Sequence, residues 1–187
     1  MSKYLIVGGV AGGATTAARL RRVDEQAEII LFEKGAYISY ANCGLPYYIG
    51  DVIADRNQLF VQTPEGFGNR FNIDVRINSK VVAIDAKNKS VTVNKVDTDE
   101  SYTEKYDKLI LSPGAEAVRP PIQGIDNKGI YTLRNVSDTD KIKNYINEHK
   151  PQKAVVVGAG FIGLEMAENL HLLGIDVTIV ELLDHVM

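Results

Sequence analysis

The chain has 187 residues, 45% hydrophobic and 24% charged, which is the composition of a soluble globular protein with one large domain or two small ones. Its 21 basic and 24 acidic residues give a net charge of −3, which argues against nucleic acid as a partner. The apolar runs are too short to span a bilayer, so we expect no membrane association. Because a strand begins directly after Met1, we expect no signal peptide and a cytoplasmic protein.

The chain opens with the order strand, glycine turn, helix, strand. Lys3–Val7 and Glu28–Phe32 are short apolar runs of the kind that forms buried parallel strands. A glycine-rich run at residues 8–13 follows the first strand, and residues 14–23 then predict a helix. Glu33 ends the second strand. This order is typical of a unit that binds a dinucleotide.

The middle of the chain predicts irregular structure followed by strands. Residues 36–50 are irregular and include a short helix, and residues 64–72 form a loop or a short helix. Residues 97–105 look like a polar hairpin tip. Alternation of apolar and polar residues predicts strands at residues 75–77, 81–85 and 90–96, and an apolar run predicts another at Lys108–Leu111.

The last third of the chain repeats the opening pattern. Residues 116–127 contain Pro and Gly and predict a crossing between domains, so we expect a first domain at 1–116 and a second at 117–187. Ser137-Asp138 predicts the cap of a helix. A strand at 154–157, a glycine turn at 158–163, a helix at 164–173 and the strand Asp176–Val180 follow.

The second glycine turn is a regular GxGxxG motif. Gly158 allows the tight turn, Gly160 lets the backbone approach a pyrophosphate, and Gly163 allows close packing of helix on strand. The diphosphate is expected on the helix N-terminus. Glu181 is expected to bind a ribose 2′-OH and to repel a 2′-phosphate, which favours NADH over NADPH. In the alternative interpretation, the glycines serve packing alone.

The first glycine turn is less regular. Gly8 and Gly13 hold the first and third glycine positions, but Val10 holds the middle one. Glu33 nevertheless lies at the end of the next strand, as in a dinucleotide-binding unit, and we favour that function over a purely structural one. Two such sites in one chain indicate a flavin paired with a nicotinamide.

Cys43 is the only cysteine, so an intramolecular disulfide and a dithiol mechanism are both excluded. A short helix is predicted to begin just after Cys43, with Pro46 in its first turn. A thiol at a helix start favours the reactive thiolate. Cys43 would then act through a mixed disulfide with a small thiol or as a sulfenic acid. The alternative is a small buried hydrophobic residue.

A basic stripe runs along the first predicted helix. Thr15, Arg19 and Arg22 stand at i, i+4 and i+7 and share one face. The stripe is either a solvated surface or, beside a reactive cysteine, a site for a phosphorylated thiol.

These motifs together resemble the coenzyme A-disulfide reductases, the single-cysteine branch of the flavin- and pyridine-nucleotide-dependent disulfide reductases. The resemblance covers the whole chain, and Ala-Asn-Cys-Gly-Leu-Pro-Tyr, around Cys43, is its most specific segment. Val10 in the first fingerprint is usual in that branch. Residues 32–34, 109–115, 131–135 and the second fingerprint with Glu165 also match.

The resemblance implies a role for each matching residue. Cys43 is the redox-active nucleophile. The coenzyme A site is lined by Thr15, Arg19, Arg22, Ser39 and Asn42. FAD is held by Gly8, Val10, Ala11, Gly12, Gly13, Glu33, Lys34, Ser112, Pro113 and Gly114, with the backbone near Val82 at the adenine. The nicotinamide cofactor is held by Gly158, Gly160, Phe161, Ile162, Gly163, Glu165 and Glu181.

The implied fold is α/β: a Rossmann-like FAD domain with a three-stranded antiparallel β-meander, followed by the start of a second Rossmann-like NAD(P)H domain. The implied activity passes electrons from NADH through FAD to Cys43, which reduces coenzyme A disulfide, persulfide or polysulfide. Family members are longer and dimerise, so we expect a homodimer of the full-length protein, and we expect no metal site. Two alternatives stay open: an NADH oxidase or peroxidase that uses a cysteine sulfenic acid, and a truncated dinucleotide-binding fragment without activity.

Overall fold

A computed structural model describes residues 2–187, which form two compact units. The first unit is the chain up to Tyr40 together with Phe60–Ala115, and the second is Ala41–Leu59 with Glu116–Met187. The segment that contains Cys43 therefore groups with the second unit, although the sequence on both sides of it belongs to the first. The assignment of one dinucleotide to each unit remains a prediction.

In chain order the helices and strands are β1 (Lys3–Val7), α1 (Gly12–Val23), β2 (Glu28–Phe32), α2 (Leu45–Ile49), α3 (Pro64–Phe71), β3 (Asp74–Arg76), β4 (Ser79–Asp85), β5 (Ser90–Lys95), β6 (Ser101–Lys105), β7 (Lys108–Leu111), α4 (Val136–His149), β8 (Lys153–Val157), α5 (Phe161–Leu172) and β9 (Asp176–Val180). Both α1 and α5 begin two or three residues earlier than predicted, because the ends of the glycine turns already form their first turn.

The first unit is built on a parallel sheet with the strand order β3-β2-β1-β7. Successive residues of β2 are buried on opposite faces, as a central parallel strand requires. On one face Ile29 and Leu31 join a core with Ala14 and Ala17 of α1. The opposite face packs against the meander through Leu5, Ile30, Phe32, Val91 and Val93. The sheet thus holds α1 on one side and the meander on the other.

The first unit also contains an antiparallel meander of β4, β5 and β6. Together with the parallel sheet and its helix, this meander confirms the predicted α/β architecture. The strand predicted at residues 75–77 lies at the edge of the parallel sheet, as β3. The prediction of a polar tip over residues 97–105 is wrong for its second half, which forms β6. Tyr102 and Glu104 are the half-buried residues of β6, so its inward face is aromatic and charged and lacks the aliphatic residues of a typical strand.

A partly buried charge network joins β1, β3 and β6. The Glu104 carboxylate accepts hydrogen bonds from Lys3 Nζ and Arg76 Nη1, each at 2.7 Å. Arg76 also donates to the Tyr102 hydroxyl at 3.1 Å and pairs with Asp74. Burial alone would raise the pKa of Glu104, but the hydrogen bonds from Lys3 and Arg76 outweigh it and lower that pKa.

The second unit contains the parallel pair β8–β9 with α2, α4 and α5. Its core includes Ile49 of α2 with Met166, Leu170 and Ile175. No helix among residues 2–187 has both the length and the apolar character needed to cross a membrane.

The start of α4 differs from the prediction. The Asn135 side chain caps the helix by accepting from the Asp138 backbone N at 3.0 Å, so the predicted Ser137-Asp138 cap is wrong. The Asp138 carboxylate instead accepts from the Arg134 backbone N at 3.1 Å. The Asn135 cap thus satisfies one free donor of the helix start, and Asp138 in turn fixes the backbone just before the cap.

Replacing Glu104 by Gln should lower the free energy of unfolding at neutral pH by about 1–2 kcal/mol, since a neutral amide cannot pair with both Lys3 and Arg76. Urea unfolding followed by circular dichroism measures this difference. It should shrink as the pH falls through the lowered pKa of Glu104, because the protonated carboxyl no longer pairs with the two cations either.

The matched control is E100Q, which removes the exposed ion pair with Lys95 and should leave the free energy of unfolding nearly unchanged, because solvent screens that pair. An E104Q effect no larger than that of the control would contradict the structural role of the network.

Candidate active site

The first glycine turn has the geometry that the fingerprint predicts. Gly8 has φ +98°, in the region that glycine favours, and its N donates to Phe32 O at 2.8 Å. A Cβ on Gly13 would lie 1.7 Å from Gly8 O, so only glycine allows α1 to approach β1 this closely. Val10 is half-buried, whereas Ala11 and Gly12 are exposed at the start of α1.

The second glycine turn repeats this geometry. Gly158 has φ +101°, its N donates to Val180 O at 2.8 Å, and a Cβ on Gly163 would lie 2.0 Å from Gly158 O. Gly160 differs from Gly163, because a Cβ on Gly160, as on Gly158, would meet no atom within 4 Å. Open space at Gly160 is what the backbone needs if a pyrophosphate is to approach it.

The helices that follow the two turns have no side-chain cap. Ala11 precedes α1 and Gly160 precedes α5, and neither supplies an acceptor for the free N–H groups. By contrast, Thr63 caps α3 and Asn135 caps α4. The uncapped donors and the positive end of the helix dipole fit an anionic diphosphate at both turns.

An acidic residue stabilises each glycine turn, which the sequence analysis did not anticipate. Glu33 Oε2 accepts from Gly9 N at 2.8 Å, and Glu181 Oε2 accepts from Ala159 N at 2.6 Å. In each turn the donor is the second residue of the fingerprint. The predicted ribose-binding acids therefore also fix the loop that would hold the diphosphate.

Glu181 is held by further backbone donors. Its Oε1 accepts from Leu182 N at 2.7 Å and from Leu183 N at 3.0 Å. The amides of Leu183, Ala159 and Leu182 all favour the ionised carboxylate and lower the pKa of Glu181. The residue therefore carries its negative charge at neutral pH.

The predicted flavin segment at Ser112, Pro113 and Gly114 lies beside the first glycine turn. Ser112 N donates to Val7 O at 2.8 Å, and a Cβ on Gly8 would lie 2.0 Å from Ser112 O. Gly114 has φ +69°, and Pro113 and Gly114 are exposed. The residues after β7 and the glycine turn after β1 thus share one edge of the parallel sheet.

Val82 lies at a β-bulge in the first unit. Val81 pairs with Val93 and Ala83 pairs with Thr92, so Val82 is skipped in the register of β4 and β5. Its side chain is exposed. A bulge leaves the extra residue outside the ladder, which suits the predicted contact of the Val82 backbone with an adenine.

Cys43 is exposed, so the alternative of a small buried hydrophobic residue is wrong. It lies in the 3-10 turn Asn42–Gly44, and α2 follows with Pro46 in its first turn, as predicted. Gly44 is buried, and a Cβ there would lie 3.1 Å from the Leu59 side chain. Packing of Gly44 against Leu59 thus fixes the turn, while the Cys43 thiol is exposed.

Asn42 is exposed beside Cys43, and its Oδ1 accepts from Arg134 Nη1 at 3.5 Å. Residues 131–135 match the family pattern, but the sequence predicts no role for Arg134. Sequence spacing could not reveal this contact, because the two residues are separated by 92 positions.

The predicted coenzyme A stripe is exposed along α1. Thr15, Arg19 and Arg22 all face solvent, and neither arginine has an ion-pair partner within residues 2–187. Arg21 plays a different part, because it donates to Phe71 O at 2.9 Å and ties α1 to α3. The geometry leaves both interpretations of the stripe open.

Ser39 has φ +45°, an unusual value for a residue other than glycine. Its N donates to Gly9 O at 2.9 Å, and its O accepts from Val61 N at 2.8 Å. These backbone bonds fix Ser39 against the first glycine turn. Strain held in place this way is common at ligand-binding sites.

The remaining predicted cofactor residues lie just after β2 and at the start of α5. Phe161 and Ile162 expose 72% and 56% of their surface at the start of α5, which is unusual for apolar side chains. Glu165 is half-buried one turn further along α5, and Lys34 is exposed just after β2.

The glycine turns, parallel strands and meander define a Rossmann-like dinucleotide-binding protein. Residues 2–187 match the family model of the pyridine nucleotide-disulphide oxidoreductases, and the chain belongs to this family.

Among its relatives, the chain is 47% identical over 180 residues to the coenzyme A disulfide reductase of Staphylococcus haemolyticus, covering 96% of this chain and 40% of that protein. The chain thus spans about 40% of the length of the curated relatives that it matches.

Two solved structures are similar throughout. The reduced Bacillus anthracis CoADR-RHD is 57% identical with a TM-score of 0.98, covering 100% of this chain and 34% of that one. The NAD-dependent persulfide reductase from A. fulgidus is 37% identical with a TM-score of 0.93, covering 98% of this chain and 34% of that one.

Replacing Gly163 by Ala should destabilise the second unit by about 2–3 kcal/mol, because the new Cβ would overlap Gly158 O and force α5 away from β8. Thermal and urea unfolding measure the loss. The matched control is G160A, for which the Cβ meets open space and the change should be below about 0.5 kcal/mol. Equal stability of the two variants would contradict the role given to the close glycine contact.

Proposed function

We propose that this chain contributes the FAD-binding segment, the NADH-binding segment and the redox-active cysteine of a reductase that acts on coenzyme A disulfide or coenzyme A persulfide. The observation that carries the proposal is Cys43, a single exposed cysteine that has no second cysteine to pair with. Because this chain offers no second cysteine, a mixed disulfide with a small thiol is the redox chemistry that suits Cys43. Similarity to proteins named coenzyme A disulfide reductase and NAD-dependent persulfide reductase supports this substrate class.

FAD is assigned to residues 1–116. Support comes from the uncapped start of α1 and from the close packing of Ser112 on Gly8, which together form an open edge beside the glycine turn. Glu33 retains lone pairs for a ribose, since a carboxylate offers about four acceptor positions and its two backbone bonds use only some of them. Val10, Ala11, Gly12, Gly13 and Lys34, with the Val82 backbone, complete the assigned set.

NADH is assigned to residues 117–187. The open space at Gly160 and the exposed Phe161 and Ile162 suit a dinucleotide lying over the start of α5. The ionised Glu181 carboxylate favours a ribose 2′-OH and repels a 2′-phosphate, so NADH is preferred to NADPH. Gly158, Gly163 and Glu165 shape the same loop and helix.

The proposed chemistry centres on the thiolate of Cys43. The thiolate attacks one sulfur of coenzyme A disulfide, so a Cys43–S–S–CoA bond forms, the original S–S bond breaks and one coenzyme A leaves as a thiolate. When bound, FAD and NADH supply the two electrons that return the mixed disulfide, with one proton, to the Cys43 thiolate and a second coenzyme A. With a persulfide, the same attack releases sulfide or coenzyme A according to which sulfur is struck.

Coenzyme A itself is assigned to the remaining predicted residues. Arg19 and Arg22 offer guanidinium groups to its phosphates, and Ser39 and Asn42 offer polar contacts near the thiol end. Thr15 begins the stripe on α1. We further propose a cytoplasmic setting, where a single reactive thiol stays reduced, and a homodimer for the full-length protein.

Treatment of the reduced chain with coenzyme A disulfide should add the mass of one coenzyme A and release one coenzyme A thiol, because Cys43 is the only thiol available. Intact mass spectrometry measures the adduct, and C43S serves as the unreactive control.

Treatment of the same chain with peroxide and with added FAD separates the alternatives. An unmodified thiol would contradict the proposed substrate. A stable sulfenic acid after peroxide, without a coenzyme A adduct, would favour an oxidase or peroxidase. Failure to take up added FAD together with an inert thiol would favour a dinucleotide-binding fragment without activity.

Replacing both Arg19 and Arg22 by Ala should raise the coenzyme A disulfide concentration that half-saturates this exchange about tenfold, because charge-assisted contacts to phosphate are lost. Rapid-quench mass spectrometry over a concentration series measures it. The matched control replaces Lys80 and Lys87, two exposed lysines of the meander region, and should leave it unchanged. An unchanged half-saturating concentration in the arginine variant would show that the stripe is only a solvated surface.

A further inference from the structure

The segment that carries Cys43 is held at its far end by a single lysine of α4. Lys143 Nζ donates to Tyr48 O at 2.7 Å and to Ile49 O at 3.3 Å, the last carbonyls of α2. It also pairs with the Asp51 carboxylate at 2.7 Å. An ammonium group has three donors, and all three have an acceptor here. The helix that begins directly after the Cys43 turn therefore ends on Lys143.

The position of α2 depends on contacts of this kind. A helix of five residues is far below the length that is stable alone. Its last carbonyls depend on donors beyond the helix, and Tyr48 O has a long backbone contact of 3.4 Å from Asp51 N. A cation at the C-terminus satisfies these carbonyls and complements the negative end of the helix dipole. The Lys143 side chain is only 13% exposed and its Nζ lies 4.6 Å from the centroid of the Tyr48 ring, so its bonds to the carbonyls of α2 are partly shielded from water, whereas the Asp51 side chain is 61% exposed.

A second contact from the same face of α4 holds the other end of the loop. Arg56 Nε and Nη2 donate to the two oxygens of Asp140 at 2.8 Å and 2.7 Å, a bidentate pair. Asp140 precedes Lys143 by three residues, so the two side chains are neighbours on the helix surface.

A third contact comes from α5. Asn169 is fully buried, and its Oδ1 has no hydrogen-bond partner within residues 2–187. A Cβ on Gly50 would lie 2.5 Å from this oxygen, so the chain after α2 packs directly on α5 and tolerates no side chain at that point. Three contacts within the second unit thus hold α2 and the loop after it.

We propose that Lys143 is a positioning residue for Cys43, an inference that rests on the proposed redox role of this thiol. Lys143 does not touch the reacting atoms. It fixes the end of α2, and through this helix it keeps the turn that carries Asn42 and Cys43 in one orientation. Loss of this order should harm reaction with a large substrate that must be recognised, and should spare reaction with a small reagent that needs no alignment.

Hydrogen exchange tests the structural step. In K143M, amides in a peptide covering residues 41–55 should exchange about tenfold faster, because local opening becomes easier, while peptides from β1 and β2 should be unchanged. The control K141M removes an exposed lysine of the same helix and should change neither region. K143R, which keeps a cation with several donors, should restore most of the protection. Unchanged exchange at 41–55, or faster exchange throughout the chain, would overturn the proposal.

Thiol exchange tests the functional step. The ratio of the Cys43 rate constants for coenzyme A disulfide and for bis(2-hydroxyethyl) disulfide should fall about fivefold or more in K143M and recover in K143R. Equal changes in both rates, or none, would overturn the positioning role. If K143M does not fold, D140N loosens the Arg56 contact and should lower the same ratio.

The two proposals fail in different ways. A wild-type chain that reacts no better with coenzyme A disulfide than with the small disulfide would refute the proposed substrate. In that case faster exchange at 41–55 in K143M would still show the structural hold on the segment, but Lys143 would have no part in recognising coenzyme A and its positioning role would be overturned.

Discussion

The contact between the first and third glycines of each fingerprint determines how helix and strand pack within each unit. In the first unit a Cβ on Gly13 would lie 1.7 Å from Gly8 O, and in the second a Cβ on Gly163 would lie 2.0 Å from Gly158 O. Because no side chain separates them, helix and strand meet backbone to backbone, and the helix N-terminus points into the loop at the end of the strand. The uncapped N–H groups of α1 and α5 are a consequence, since the residues before these helices are taken up by the turn itself. An anion is the natural partner for such a loop.

The acid at the end of the neighbouring strand completes this arrangement. Glu33 and Glu181 each accept from the second residue of their glycine turn, so the carboxylates proposed to bind a ribose also fix the shape of the loops proposed to bind a diphosphate. For Glu181, the same backbone donors that hold the loop lower its pKa. The geometry of the loop and the proposed discrimination against a 2′-phosphate would therefore depend on the same charge. Exchanging this acid for a neutral residue to admit NADPH would also loosen the loop, so a change of cofactor preference would need a replacement for the hydrogen bond to Ala159.

The sequence predicted those strands and turns that depend on neighbouring residues, but not those that depend on contacts between distant residues. Short runs of apolar and β-branched residues located β1, β2, β7 and β9 correctly, since such residues favour strands. β6 was missed because Tyr102 and Glu104 face inward and their partners, Arg76 and Lys3, are distant in sequence. The cap of α4 was misplaced because Asn135, Ser137 and Asp138 can all cap a helix, and only the backbone path selects among them. Thus sequence identified Cys43 and the glycine turns, but not Lys143, which meets Tyr48 across 95 positions.

The grouping of residues 41–59 with the second unit has a consequence for the thiol. Cys43 is flanked in sequence by the unit to which FAD is assigned, yet α2 packs with α4 and α5, helices of the unit to which NADH is assigned. α5 begins at the second glycine turn and reaches Gly50 through Asn169, so one rigid helix joins the proposed nicotinamide loop to the segment that carries the thiol. A helix cannot shift at one end without moving the other. Any displacement of α5 on nucleotide binding would therefore also displace α2, because the close packing of Asn169 on Gly50 leaves no free space between them.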